Sequence, residues 1–176
     1  YRLMVARVLR LSGDFDEAMQ QLNSLPDLNK NKKLKLKVDF RKAALYTENP
    51  KYSMEERVVI VYPIIERSIA AAKELNLLDD LASFYNLKAT IHRNETAYIH
   101  HDCDENSVKA RANYIKSMRL FLTIKDTFNY HNVFNGLFRL SMEEKTADMD
   151  SLKHLVTQFP KTFGFAPNNI TSHNLL

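Results

Sequence analysis

From residue 3 to residue 159 the apolar residues recur at spacings of three and four, block after block, and no stretch reads as a strand. A chain patterned in this way is limited to packing helix on helix. Glycine usage agrees, with three in 176 residues, because sheets joined by tight turns need residues of positive φ that helical proteins largely do without. With 45% apolar and 26% charged residues, the chain is apolar enough to bury a core of its own and too apolar for a disordered segment.

The blocks have legible ends. A helix is expected over residues 3–11, where Leu3, Met4, Val5, Val8, Leu9 and Leu11 recur opposite Arg2, Arg7 and Arg10. Ser12-Gly13 stops it, and Asp14 is placed to cap a second helix carrying Ala18, Met19, Leu22 and Leu25 up to Pro26. After a polar link over 27–33, a third spans 34–46 with Leu34, Val38, Ala44 and Leu45 inward, ended by Asn49-Pro50. Ser53 and Glu56 form a capping box ahead of a long helix to residue 75, in which Pro63 should introduce a kink or a split. Further helices are expected over 80–93, 107–125, 127–144 and 149–159, with a polar connection or ragged helix end over 94–106 and a tail over 161–176. That makes about eight helices in one domain, 1–160, followed by the tail.

Short helices in series call for a search for internal repeats. Ala6 is followed by Gly13-Asp14-Phe15-Asp16-Glu17-Ala18 at a turn and then by Leu22 and Leu25. A second-helix pattern recurs as Ala110, Tyr114, Ser117, Met118, Leu120 and Phe121, and again as Val61, Ile65, Ser68, Ile69 and Ala72. Each of these is followed by a hinge with an acidic residue, at 76–79 and at Lys125-Asp126, and then by a segment with a first-helix look. On these residues the chain resembles a degenerate tetratricopeptide-repeat array over about residues 1–159, although the glycine-aromatic-alanine turn stands in the first hairpin alone. Runs such as 107–140 also resemble the sensor arrays of bacterial signalling proteins.

The resemblance implies an all-α fold of antiparallel helical hairpins stacked as a right-handed α-α superhelix. It further implies a protein or peptide held in the concave groove lined by the first helix of each pair. Arg7, Arg10, Asn86, Arg93, Asn132, Asn135 and Arg139 are then the polar candidates for partner contact, each also readable as a solvated helix face. The family's pattern is structural and carries no catalytic residue, so a non-catalytic scaffold or sensor part of a larger protein is expected, with no cofactor and a homodimer as one arrangement. A regulatory or oligomerisation segment of a signalling or transcription protein is the alternative.

Other chemistry has weaker footing. His92, His100, His101, Asp102 and Cys103 are residue types that suit zinc, as a helical metal-dependent enzyme would need, but neither H-E-x-x-H nor paired C-x-x-C spacing is present. Cys103 as a nucleophile has His100 and His101 near in sequence without a fixed geometry. No glycine pair has the spacing of a phosphate-cradling loop. The basic run Lys30, Lys32, Lys33, Lys35, Lys37, Arg41 and Lys42 reads first as a solvated face and second as a patch for an acidic partner or nucleic acid. The net charge of +4 is well short of a dedicated nucleic-acid binder. Phe121, Phe128, Tyr130, Phe134 and Phe138 read as core. A single cysteine excludes an internal disulfide framework and points to a reducing, cytoplasmic setting. No apolar run reaches membrane-spanning length. The start at Tyr1 reads as a fragment or a processed form.

Overall fold

The computed structural model describes residues 1–26, 28–98 and 104–143. Among them are seven α-helices, α1 (Arg2–Ser12), α2 (Phe15–Asn23), α3 (Lys32–Glu48), α4 (Met54–Glu74), α5 (Leu78–Tyr98), α6 (Asp104–Thr123) and α7 (Thr127–Glu143), with one 3₁₀ turn at Leu28–Lys30 and no strand. The helix expected over 149–159 and the tail over 161–176 lie outside the described residues.

Three of the connections close with one geometry. The amide of Asp14 donates to the Leu9 carbonyl, that of Leu77 to Ala72 and that of Asp126 to Phe121, at 2.8, 2.9 and 2.9 Å. Each acceptor lies five residues before its donor, as in a Schellman turn. The residue before each donor is in the left-handed region, with φ of 89° at Gly13, 51° at Asn76 and 59° at Lys125. The donor residue then starts the next helix, its own carbonyl accepting from the amide four residues on, at Ala18, Leu81 and Tyr130. The turn thus repeats although glycine does not, because asparagine enters this region at modest cost and lysine at somewhat more.

Each helix packs against its neighbours in sequence, and the odd-numbered helices also touch in order, α1 with α3, α3 with α5 and α5 with α7. Three apolar cores fill the spaces. The first joins Ala6, Ala18, Leu22, Val38 and Leu45 across α1, α2 and α3. The second gathers Leu36, Ala43, Val61, Ile65, Ile69, Phe84 and Ile91 between α3, α4 and α5. The third sets Ala82 and Ala89 of α5 against Ala110, Tyr114, Met118 and Phe121 of α6 and Val133, Leu137 and Leu140 of α7. Helices α3 and α5 therefore wall two cores each. Small residues let α5 and α6 approach closely enough for Ser117 Oγ to donate to the Ala82 carbonyl at 2.7 Å.

Several local expectations change. Helix α4 runs unbroken through Pro63; Pro63 is exposed, as is Val59, so the carbonyl that loses its intrahelical partner lies on the solvent side. The capping box forms, with the Glu56 amide on Ser53 Oγ at 3.3 Å and Glu56 Oε2 accepting from the Ser53 amide at 2.7 Å. Asp14 stands at the start of α2 but caps nothing with its side chain, whose Oδ2 instead accepts from Ser12 Oγ at 2.7 Å. The polar stretch over 94–98 is helical, so α5 is longer than its apolar pattern suggests. On α1 the core side is Leu3, Ala6 and Leu9, while Met4, Val8 and Leu11 are exposed.

Candidate functional site

A cavity of about 480 Å³ opens where the odd-numbered helices come together. Helix α1 gives it Leu3 and Arg7, α3 gives Lys37, Phe40 and Arg41, α5 gives Asp79, Asp80, Ser83 and Asn86, and α7 gives Phe128, Asn129 and Asn132, with Phe121 of α6 at its floor. Helical spacing produces this convergence: Leu3 and Arg7, Lys37 and Arg41, and Asn129 and Asn132 are three or four residues apart, on one face of their helix. Its walls differ in charge. Arg7, Lys37 and Arg41 make one side basic, Asp79 and Asp80 make another acidic, and Ser83, Asn86, Asn129 and Asn132 supply neutral donors and acceptors between them.

Burial shapes the electrostatics. The Asp80 carboxyl is held above the usual carboxylate range, first by burial and then by the neighbouring Asp79 charge, with Lys37 and Lys33 pulling the other way. The Arg41 guanidinium is pushed below its ordinary value by burial and then by Arg7 and Arg10, while its Cζ lies over the Phe40 ring, 5.6 Å from the ring centre. Phe40 meets the buried Phe84 edge-on, with centroids 5.6 Å apart and rings at 81°, which fixes the cavity wall to the middle core.

Of the seven residues expected to contact a partner, Arg7, Asn86 and Asn132 line this cavity, whereas Arg10, Arg93, Asn135 and Arg139 do not. Arg10 turns to pair with Glu48. Arg93 lies toward the other end of α5, 3.8 Å from Glu143 and bonded to Asn94 Oδ1. Asn135 and Arg139 sit on α7, exposed. The basic run does not make one face: Lys32 reaches Glu74, Lys35 pairs with Asp39 and only Lys37 and Arg41 border the cavity. Phe128, read as core, is 72% exposed at the rim. The polar lining residues outside those seven are Lys37 and Arg41 of α3, Asp79, Asp80 and Ser83 of α5 and Asn129 of α7. Counting α3 as a first helix brings Lys37 and Arg41 into the same row as Arg7.

A second polar cluster is buried between α4 and α5. The Tyr62 hydroxyl donates to Glu95 Oε2 at 2.7 Å, and His92 Nδ1 lies 2.6 Å from that hydroxyl oxygen and 3.1 Å from Glu95 Oε2. With the tyrosine proton spent on the carboxylate, Nδ1 must carry a hydrogen and donate to both oxygens. Burial raises the Tyr62 hydroxyl well above its usual range, helped by Glu95 and Glu66. Burial lowers the His92 imidazole, with Glu95 opposing and Lys88 and Lys109 adding to the lowering. Stability is therefore expected to fall as pH drops from about 7.5 through the ordinary histidine value of about 6.5, since the unfolded chain then binds the proton more readily. Melting curves between pH 7.5 and 5.5 check this, and the slope should flatten in His92→Gln. Asp80, with its raised carboxyl, gains stability on acidification only in the carboxylate range below that window.

Among the described residues no group of three or more His, Cys, Asp or Glu is placed to hold a metal ion. His100, His101, Asp102 and Cys103 lie outside the described residues. No described helix is long and apolar enough to cross a membrane. Compared with known proteins, the chain matches no family model, no curated protein and no solved structure.

Proposed function

We propose that this chain is a non-catalytic binding module, a tetratricopeptide-like array that holds an extended peptide or protein segment against its odd-numbered helices. The observation carrying the reading is that one cavity draws its lining from α1, α3, α5 and α7 together. An enzyme pocket of this size is usually mostly apolar with a few polar groups converging on one reacting atom. Here the polar groups come from several helices, and the amides of Asn86 and Asn132 offer paired donors and acceptors of the kind a peptide backbone requires, while Asn129 Nδ2 already donates to Asp126 Oδ2 at 2.7 Å. The exposed Phe128 at the rim and the half-buried Leu3 give an apolar side chain of the ligand somewhere to rest.

Panning a random peptide library against the purified protein tests this. Peptides enriched by the wild type should bind about tenfold or more weakly to Asn86→Ala/Asn132→Ala, a loss of about 1.4 kcal/mol or more, while the melting temperature stays within a few degrees. Enriched peptides that bind the double variant as well as the wild type would place the contact on another surface. The reading fails if no peptide competes for the cavity.

A further inference from the structure

We propose that the Arg7 and Arg41 end of the cavity is an anion subsite, shaped to take a dianionic phosphoryl group on the side chain of the bound segment. The peptide part of this proposal rests on the reading above; the anion part does not.

Two arginines from different helices, Arg7 on α1 and Arg41 on α3, line the same cavity, and the Arg7 charge acts on Arg41. Arg41 is half-buried. Among the described residues neither has a carboxylate partner, whereas Arg10, one turn along α1, has Glu48. Arg10 still leaves its buried Nε without a hydrogen-bond partner. Gathering three guanidinium groups costs free energy that the Arg10–Glu48 pair offsets for Arg10 alone, since arginine does not shed its proton at neutral pH and Arg7 and Arg41 have no carboxylate partner among the described residues. The acidic wall does not offset it, because Asp79 and Asp80 make no ion pair with Arg7 or Arg41, and Lys37 and Lys33 act on Asp80.

Charge count selects the ligand. With Lys37 acting on Asp80, the two cations left at this end, Arg7 and Arg41, match a phosphorylated side chain, which carries roughly −1.5 to −2 at neutral pH, and a single carboxylate would leave one of them uncompensated. Forked guanidinium donors also fit phosphoryl oxygens in parallel pairs. A nucleic-acid backbone fits less well, because Asp79 and Asp80 line the same cavity and would repel phosphates running on from the Arg7 and Arg41 end.

The probes are N-acetyl-O-phosphoserine methylamide and N-acetyl-glutamate methylamide, titrated at fixed ionic strength and followed by the arginine Nε–H resonances. The expected result is saturable binding of the phosphoserine probe, about tenfold tighter than the glutamate probe. Arg7→Gln and Arg41→Gln should each weaken it about tenfold, while Arg67→Gln on the exposed side of α4 leaves it unchanged. Arg41→Lys, which keeps the charge and the fold but loses the fork, should still weaken it severalfold. Equal binding of both probes would overturn the choice of a phosphoryl group in favour of a carboxylate. Binding insensitive to Arg7 and Arg41, or no saturable binding, would overturn the subsite. Since each probe is a single residue, these outcomes are independent of whether the Asn86 and Asn132 variants lose peptides.

Discussion

Replacing Phe84 with alanine is expected to cost about 3–5 kcal/mol, the range for removing a fully buried aromatic ring. Phe84 is 0% exposed and stands in the core shared by α3, α4 and α5, edge-on to Phe40. That core is the middle one of three, so its loss strikes where the two ends of the array are joined. Where helices pack mainly on their neighbours along the chain, as here, stability is close to a sum over neighbouring interfaces. Weakening the central interface should therefore broaden the urea transition as well as shift it, as the ends begin to unfold separately. Urea unfolding followed by circular dichroism measures both. Phe84→Leu, which keeps most of the volume, should cost less than half as much; a loss below about 1 kcal/mol for the alanine variant would contradict the packing described.

The second large effect is expected at Gly136, and its sign is diagnostic. Alanine at an exposed position inside a helix usually gains about 1 kcal/mol over glycine. At Gly136 a Cβ would stand 2.8 Å from Tyr114 Cε1 and 3.0 Å from Cζ. Tyr114 is 1% exposed, and its hydroxyl lies 3.4 Å from Thr90 Oγ1, so the ring has little room to withdraw. Gly136→Val, which adds branching to the same overlap, should cost about 3 kcal/mol, and Gly136→Ala about 1 despite the propensity gain. A double-mutant cycle locates the cause. Tyr114→Ala should be much less damaging in the Gly136→Val background than in the wild type, because the added methyl groups then occupy the space the ring leaves. Additive losses would mean that the two residues do not meet.

How much of this was legible in the sequence depended on how many faces a helix buries. Helix α7 shows one face to the third core, and Tyr130, Val133, Leu137 and Leu140 give a clean period. Helix α3 is buried on two sides, with Val38 and Leu45 toward the first core and Leu36 and Ala43 toward the second. Two faces superposed in one sequence blur the period, which is why Leu36 and Ala43 escaped and why Lys37 and Arg41 read as part of a basic run. The turns were legible by position, and Gly13 and Asn76 are residue types that accept a left-handed backbone, whereas Lys125 adopts it without any such signal in its side chain. On α1 the periodicity was real, yet it could not say which apolar residues faced inward. Arg93 and Arg139, polar first-helix residues like Arg7, do not line the cavity, and a list of polar positions holds no record of depth along the axis.

The cavity wall has one more consequence. Helices α1 and α7 stand six helices apart in a chain whose main helix contacts run between immediate neighbours and next-but-one partners, yet Leu3 and Arg7 of one and Phe128 and Asn132 of the other border the same space. A molecule filling that space becomes a long-range crosslink in an otherwise local structure. It would tie the two ends to each other, so that neither could fray without releasing it, and occupancy would raise the melting temperature and narrow the transition.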